Sequence, residues 1–249
     1  MKKVIKTVVI IIMSISFASV GFTSDLNFTL GVKGYYNNTK IKYNNSDIEK
    51  TLSFTSLALG GTINLNDTFY LSFYGGINSS KFNEDIQFDN LPFSINIPDF
   101  SSSGLFFDGK FSFFPFEIKD IEIGGSLRVF AIYTSDVSWD LTFPIVSGNF
   151  KAHFGLYNFV ASIEGKGDIS DNLQVQGGLT LLKTLGNIHG EENVADGQLS
   201  SVEDIDFSNS FYAGFTIMAK YSIEDYLEIS FSANMLNTMI FSLSLNYIF

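Results

Sequence analysis

The sequence contains no cysteine, only four prolines and a single tryptophan among its 249 residues. The lack of cysteine excludes disulfide frameworks, cysteine-ligated zinc sites and thiol nucleophiles. The few prolines form no linker, so we expect one domain rather than two. Long hydrophobic runs are also missing after the N-terminus, where none approaches the ~20 residues that a membrane-spanning helix needs.

Basic residues are scarce as well, with 15 Lys and Arg against 26 Asp and Glu. Lys2, Lys3 and Lys6 precede an aliphatic run at residues 8–13, and small residues follow that run. This order predicts a secretory signal peptide over residues 1–21, with cleavage near residues 18–24; an uncleaved anchor helix is the alternative. Because no cysteine follows the leader, a lipoprotein anchor is excluded. Cleavage would leave 12 basic against 26 acidic residues, so nucleic acid is not an expected partner.

Aromatic residues are abundant instead, with 27 Phe and 11 Tyr, and this composition favours strands over helices. Successive side chains of a strand point to opposite faces. In the first segment, Leu30 and Val32 share one face, whereas Gly31 and Lys33 share the other. The same alternation predicts ten strands, at residues 26–36, 57–65, 69–78, 105–113, 121–133, 155–165, 173–181, 211–221, 227–235 and 241–249.

Charged residues avoid one face of these strands. In the eight most regular strands, no charge lies on the apolar face. A charge that faces lipid at mid-bilayer costs ~2–4 kcal/mol, so we expect the apolar face to contact lipid and the other face to line a lumen. The predicted lumen-facing charges are Lys33, Asp108, Lys110, Glu122, Arg128, Glu164, Lys166, Lys220 and Glu228.

Alternation alone would also fit a soluble, lipocalin-like barrel with its apolar face inside. The predicted connections favour the membrane, because long ones (37–51, 79–103, 134–149, 184–208) alternate with short ones (66–67, 114–120, 166–172, 222–226). Short periplasmic turns and long outer loops produce this pattern in membrane barrels, which also carry aromatic residues at their strand ends. The sequence therefore predicts an all-β fold, a transmembrane antiparallel up-and-down β-barrel of about ten strands.

The C-terminus supports this class. The chain ends in an alternating strand whose last residues are Asn246, Tyr247, Ile248 and Phe249. This ending resembles the C-terminal β-signal by which bacterial outer-membrane β-barrel proteins are recognised for assembly. The resemblance implies a barrel domain over residues 25–249 in the cell outer membrane, with Tyr247 and Phe249 as assembly signal. It identifies the class and no family within it.

The lumen of such a barrel is expected to be narrow, since open aqueous channels are seen at 16–18 strands. Its five positive and four negative charges predict interior ion pairs, and Lys220 and Glu228 should face each other across a hairpin. Lumen-facing glycines such as Gly60 and Gly76 could leave a water path or make room for bulky neighbours, and we prefer the second interpretation. Leu52 and Phe54 have the opposite parity to the rest of the second strand, which predicts a bulge or a loop there.

The two histidines are the candidate catalytic groups. His153, near the outer end of the sixth strand, could form a hydrolytic rim site with Asp136 and Asp140; His189 lies in the fourth long loop. No family motif accompanies them, so a solvated loop histidine is the preferred interpretation, and we expect no catalytic residue, cofactor or metal site. The fourth loop has no Ca²⁺-binding spacing, and its acidic residues are expected to form a hydrated surface: Glu191, Glu192, Asp196, Glu203, Asp204 and Asp206.

The second and third long loops are unusually apolar, at residues 91–100 and 137–146. Solvated loops rarely carry this much apolar surface, so we expect them to fold over the barrel mouth, to extend the strands above the membrane as paired hairpins, or to contact a partner. Packing against each other is the preferred interpretation, with a binding surface as the alternative. Three functions stay open: a small porin-like or general outer-membrane barrel, a surface-exposed adhesive barrel, and a rim hydrolase, of which the first is preferred. The expected partners are outer-membrane lipid, the barrel-assembly machinery, and small solutes or an external ligand at the outer loops.

Overall fold

The structure is a computed structural model that describes residues 27–43, 49–66, 68–83, 85–91, 93–142, 147–194, 199–209, 211–235 and 239–249. The predicted signal peptide, residues 1–21, lies outside these ranges. Within them the chain forms fourteen strands, and no described helix is long and apolar enough to cross a membrane. The strands are β1 (Asn27–Tyr43), β2 (Glu49–Asn64), β3 (Phe69–Phe82), β4 (Ile86–Phe88), β5 (Ile95–Ile97), β6 (Phe100–Ile118), β7 (Ile121–Thr134), β8 (Val137–Thr142), β9 (Ser147–Ser170), β10 (Leu173–Val194), β11 (Leu199–Ser208), β12 (Tyr212–Ile223), β13 (Leu227–Met235) and β14 (Met239–Ile248).

Ten of these strands close into a barrel in which neighbouring strands are antiparallel. The seam is formed by β14 and β1, where Val32 lies opposite Leu245. The order round the barrel is β1, β2, β3, β6, β7, β9, β10, β12, β13 and β14. The predicted fold class, an antiparallel barrel of about ten strands, is therefore confirmed.

The outward faces of the strands form an apolar belt round the barrel. Leu59, Leu127 and Ile163 lie on three different strands and are 67%, 63% and 70% exposed. Soluble proteins rarely expose contiguous apolar patches larger than a few hundred Å², whereas acyl chains cover such a belt in a transmembrane barrel.

Tight turns connect the strands at the lower end of the barrel. Lys119 and Asp120 both have positive φ, 50° and 67°, as in a two-residue hairpin of type I′.

The upper end departs from the prediction, because most of the expected long loops are strands. β1 continues to Tyr43, β3 to Phe82 and β10 to Val194. β8 pairs with β9, while β11 pairs with β10 and, through Ser208 opposite Lys42, with the end of β1. In this way β11 closes the barrel at a height that the short strands β12, β13 and β14 do not reach. We call this upper part the outer ring; it comprises residues 37–43, 49–54, 78–82, 100–104, 134–142, 147–156, 184–194 and 199–208.

The prediction of a bulge or a loop near Leu52 and Phe54 is wrong. β2 keeps one register with both neighbours through these residues, and the two side chains point inward with 0% and 2% exposure. The physical reason is that water, rather than lipid, surrounds the outer ring. In the outer ring the apolar residues therefore occupy the inward face of the strands. In the sequence, this shifts the apolar positions by one residue relative to the lipid-facing part of the same strand. Register shifts occur instead between Phe113 and Phe116 and between Leu173 and Gln174.

Candidate functional site

The interior of the barrel has two parts with opposite chemistry. The lower part is a polar chamber of 190 Å³ that extends down to residues beside the short turns, such as Gln174 and Glu228. The structure places all nine predicted lumen charges on the inward side of the wall here, and eight of them line the chamber: Lys33, Asp108, Lys110, Arg128, Glu164, Lys166, Lys220 and Glu228. The ninth, Glu122, contacts Lys166.

Asp108 is the centre of the best-connected charge cluster. Arg128 donates from Nε to Asp108 Oδ1 at 2.6 Å and from Nη2 to Oδ2 at 3.0 Å. Lys33 Nζ lies 3.7 Å from the same carboxylate, and the Tyr35 hydroxyl donates to it. The Asp108 and Arg128 side chains are only 3% and 9% exposed. A two-pronged hydrogen bond between desolvated charges holds both side chains in one geometry, so this cluster ties β1, β6 and β7 together inside the barrel.

Two more ion pairs join neighbouring parts of the chamber wall. Glu164 pairs with Lys110 at 3.4 Å and accepts hydrogen bonds from Ser126 and Gln176. Lys166 Nζ lies 2.9 Å from Glu122 Oε2 and donates to the Tyr70 hydroxyl at 2.7 Å. Every anion in these pairs has a cation partner, so the chamber does not present a ring of one sign as an ion-selective filter does.

Lys220 and Glu228 are in contact, with Nζ 2.6 Å from Oε2. The register differs from the expected one, because Lys220 lies opposite Ser230 and Glu228 opposite Ser222. The two charges are therefore diagonal neighbours, one step apart across the β12–β13 hairpin. Asn246 donates to the other oxygen of Glu228 at 3.1 Å, which links this pair to the seam strand β14.

The upper part of the interior is an apolar plug. Phe106, Leu182 and Leu156 are 0% exposed, and Phe130 is 2% exposed. The Tyr35 ring packs on Phe106 at 4.5 Å while its hydroxyl reaches Asp108, so this side chain joins the plug to the polar chamber. These side chains belong to β6, β7, β9 and β10, and Tyr35 joins them from β1 on the facing wall, so the described residues form one contiguous buried apolar cluster inside the barrel at this height.

A short hairpin of β4 and β5 covers the plug. Its inward side chains are buried, and Phe88 packs edge-on against Phe150 at 4.9 Å. Asn90, beside the hairpin, donates from its backbone N to Glu203 Oε2 at 3.0 Å and from Nδ2 to Oε1 at 2.7 Å. From the third predicted loop, Trp139 packs edge-on against Phe100 at 5.3 Å. The expected packing of the apolar loops over the mouth is thus confirmed, apart from residues 92 and 143–146, which lie outside the described ranges.

The histidines lie on the outward face of the outer ring. His153 and His189 are cross-strand partners whose ring centroids are 4.9 Å apart. Each Nδ1 contacts a carboxylate at 2.7 Å, of Asp136 for His153 and of Asp204 for His189. The second ring nitrogen of His153 contacts the Tyr133 hydroxyl at 3.2 Å. Within the described residues, no cluster of three or more His, Asp or Glu side chains could hold a metal ion.

Some features of the interior were missed in the sequence. Glu192 and Glu203 were expected on a hydrated surface but are buried in the mouth, at 0% and 9% exposure. The neutral partners Tyr70, Gln176 and Asn246 complete the ion-pair networks. The alternation had already placed these three side chains on the lumen side of their strands, so only their contacts were missed. Their partners were not predictable, since the paired residues are 12 to 96 positions apart in the chain.

Glu192 is the unusual acid of the mouth. Within the part of the chain that the structure describes, neither of its carboxylate oxygens has a hydrogen-bond donor at good distance and angle. Burial raises the pKa of this carboxyl above its ordinary value of 4.5, and the backbone N–H of Phe93 opposes the shift only in part. The residue belongs to the outer ring, beyond the lipid-facing belt.

We expect the stability of the outer ring to fall as the pH rises from about 4.5 through the raised pKa of Glu192. The folded protein binds this proton more tightly than the unfolded chain does, so protonation favours folding and ionisation disfavours it. A Glu192→Gln variant should be more stable than wild type near pH 7 and lose this part of the pH dependence. Chemical unfolding followed by Trp139 fluorescence at about pH 5 and pH 7 measures the stability of each protein and its dependence on pH. Glu191→Gln, on the outward face of the same strand, is the control; an equal pH response in Glu192→Gln and wild type would contradict the prediction.

No protein-family model matches the sequence, and no curated protein does either. Solved structures do resemble the fold. The translocator domain of autotransporter NalP from Neisseria meningitidis aligns with 95% of this chain and 93% of its own, at 9% identity and a TM-score of 0.43. The outer membrane protease OmpT from Escherichia coli aligns with 90% of this chain and 96% of its own, at 10% identity and a TM-score of 0.43. An outer membrane channel from Pseudomonas putida F1 aligns with 91% of this chain and 96% of its own, at 13% identity and a TM-score of 0.35. A translocator, a protease and a channel are too different, and too distant, to indicate an activity here.

The closed ring, the lipid-facing belt and the charged interior define the class: the chain has the fold of an outer-membrane β-barrel.

Proposed function

We propose that this protein resides in the bacterial outer membrane as a closed barrel that conducts no solute and acts through its outer surface. The observation that carries the proposal is the apolar plug, in which Phe106 and Phe130 are buried with other apolar side chains above the Asp108 cluster. Conduction requires a continuous wetted path, and apolar constrictions close a pore by dewetting. A passive pore for small solutes, one of the two roles of the porin-like or general outer-membrane barrel that the sequence favoured, is the alternative that this plug disfavours.

A surface role is supported by the height and rigidity of the outer ring. The ring is paired strand to strand, and the β4–β5 hairpin is fixed to it by Asn90 and Glu203. Binding sites are more precise on strands than on loose loops, so this part suits contact with an external ligand or neighbouring envelope components. The exposed Tyr247 and Phe249 at the end of the chain, whose rings pack at 4.9 Å, support the barrel-assembly machinery as a further partner.

The contacts of His153 favour a structural role over a hydrolase, and the proposal includes no catalytic role. A catalytic histidine needs a ring nitrogen within reach of a nucleophile or water. Both nitrogens of His153 are already engaged, by Asp136 and Tyr133. If reconstituted protein hydrolysed peptide or lipid-ester substrates, and His153→Ala with His189→Ala abolished that hydrolysis, this part of the proposal would be overturned.

Planar-bilayer recordings test the closed barrel. Refolded wild type, checked by its heat-modifiable gel mobility, should show no stepwise conductance because the plug blocks the lumen. A variant that lacks residues 86–97 and carries Phe106→Ala and Phe130→Ala is the opened control and should conduct. Reproducible single-channel steps from the folded wild type would reject the closed barrel, whatever the opened control does.

A further inference from the structure

A hollow on the lipid-facing wall has no role in the closed barrel. It is a groove of 670 Å³ that crosses the outward faces of β13, β14, β1, β2 and β3 and reaches β6. Its apolar walls include Leu57, Ile77 and Leu243, which are 56%, 65% and 58% exposed. The groove lies in the upper part of the belt, next to the outer ring, and therefore at the level of the outer leaflet.

The floor of the groove is Gly34, whose neighbours across the sheet are Leu57 and Leu243. The backbone does not require glycine here. A Cβ built on Gly34 would come no closer than 4.0 Å, to the carbonyl oxygen of Leu243, and the backbone is not in the left-handed region. The hollow thus results from a missing side chain at a position that would accept a larger one. Small residues at its upper edge, Thr55 and Ser79, keep it open towards the outer ring.

Basic residues lie directly above this groove. The outward face of β1 continues from Tyr36 to Lys40 and Lys42, and that of β3 from Ser79 to Lys81. At roughly 3.3 Å per residue, Lys81 lies ~7 Å and Lys40 ~13 Å above the upper edge of the groove. They are on either side of β2, and two strand spacings with a height difference of ~6 Å place their Cα atoms roughly 12 Å apart. Lys81 pairs with Asp99 at 3.3 Å, but both side chains are more than half exposed, and such a pair contributes little.

The charge of the outer ring is not uniform. The opposite side, on β10 and β11 and the segment before β8, carries carboxylates on its outward face, at Asp136, Glu191, Asp204 and Asp206. In a chain with a large excess of acidic residues, three outward lysines stand over this groove, with Glu49 opposite Lys42 in the sheet and Asp99 beside Lys81 as the nearby acids. An apolar groove below and ammonium groups above match an acyl chain that bears an anionic headgroup.

We propose that this groove binds a phosphorylated glycolipid of the outer leaflet, of the lipid A type, with an acyl chain along Gly34 and phosphate held by Lys40 and Lys81. The proposal rests on the outer-membrane location proposed above and is independent of whether the lumen conducts. The groove and the lysines together distinguish this lipid from other ligands. A free phosphate would lack the groove, and a zwitterionic lipid would lack the net charge that the lysines attract.

The test measures binding of fluorescent lipid A to the refolded full chain in phosphatidylcholine nanodiscs. Dephosphorylated lipid A and inorganic phosphate are the comparison ligands. Gly34→Leu fills the groove, and Lys40→Ser with Lys81→Ser removes the cations. The controls are Gly177→Leu, on the outward face of β10, where a Cβ meets nothing closer than 3.5 Å, and Lys151→Ser on the outward face of β9.

We expect the double lysine variant to bind lipid A roughly thirtyfold more weakly, from about 1 kcal/mol for each lysine near an anionic headgroup, and Gly34→Leu about tenfold more weakly. Dephosphorylated lipid A should bind the wild type as weakly as lipid A binds the lysine variant, and the two controls should match wild type. Unchanged binding by Gly34→Leu, an equal loss in the controls, or full competition by inorganic phosphate would each overturn the proposal.

Discussion

Replacing Asp108 by Asn should lower the free energy of unfolding by about 3–5 kcal/mol, the usual cost of breaking a buried ion pair by removing one partner. Arg128 makes two hydrogen bonds to this carboxylate, and Lys33 and Tyr35 contact it as well. The neutral amide keeps the size of the side chain but leaves the guanidinium of Arg128, only 9% exposed, without its counter-charge. Denaturant unfolding in detergent micelles, read by Trp139 fluorescence and by heat-modifiable mobility, measures the loss.

Two further variants distinguish the loss of the Asp108 ion pair from a general loss of barrel stability. Glu122→Gln breaks a pair whose carboxylate is 36% exposed, so we expect a loss of about 1 kcal/mol or less. Asp108→Asn combined with Arg128→Met removes the more buried of the two stranded charges but leaves Lys33 without its partner, so it should recover part of the stability, because apolar replacement of a whole buried pair is often neutral. If Asp108→Asn were no more costly than Glu122→Gln, the cluster would not hold the barrel together as the geometry indicates.

The ring of ten strands was predictable because one rule governs the lipid-facing belt. Lipid excludes charge from the outward face and a narrow lumen collects it, so residues such as Arg128 and Leu127 identify the two sides of β7 from sequence alone. The same rule failed beyond the belt. In the outer ring water replaces lipid outside, and Leu52 and Phe54 follow the inverted pattern while the strand itself continues without a break.

The candidate site was predictable only in part, for a related reason. Inward parity was enough to locate the charges, since it depends on the strand alone. Pairing also depends on the register of the strands in between and on how far each side chain reaches. The contact between Lys110 on β6 and Glu164 on β9, which flank β7 and lie 54 residues apart in the chain, therefore carried no sequence signal. Lys220 and Glu228 were different, because a short turn brings their strands together whatever the rest of the barrel does.

The lumen-facing glycines have a role that neither sequence interpretation captured. They neither keep a water path open nor only make room for bulky neighbours. A Cβ on Gly60 would lie 1.9 Å from the carbonyl oxygen of Phe73, and one on Gly76 would lie 2.0 Å from that of Leu57. These are backbone atoms of the neighbouring strand. The glycines therefore allow adjacent strands to approach where the wall curves, as glycine kinks do in strongly bent sheets.

For this reason Gly60→Ala should be among the most damaging single-methyl changes in the barrel. The added Cβ would also lie 2.6 Å from the Tyr74 Cα, so relief requires the β2–β3 pairing itself to shift rather than a side chain to rotate. We expect a cost of about 3 kcal/mol, the upper end for overpacking, seen as a reduced yield of the heat-modifiable folded form and a lower unfolding midpoint. Gly34→Ala is the matched control on the adjacent strand, with its nearest contact at 4.0 Å, and should refold as wild type does. Wild-type yield and midpoint for Gly60→Ala would show that β2 and β3 do not approach this closely, and equal damage in Gly34→Ala would show that methyl groups are resisted everywhere in the wall rather than at its points of close backbone contact.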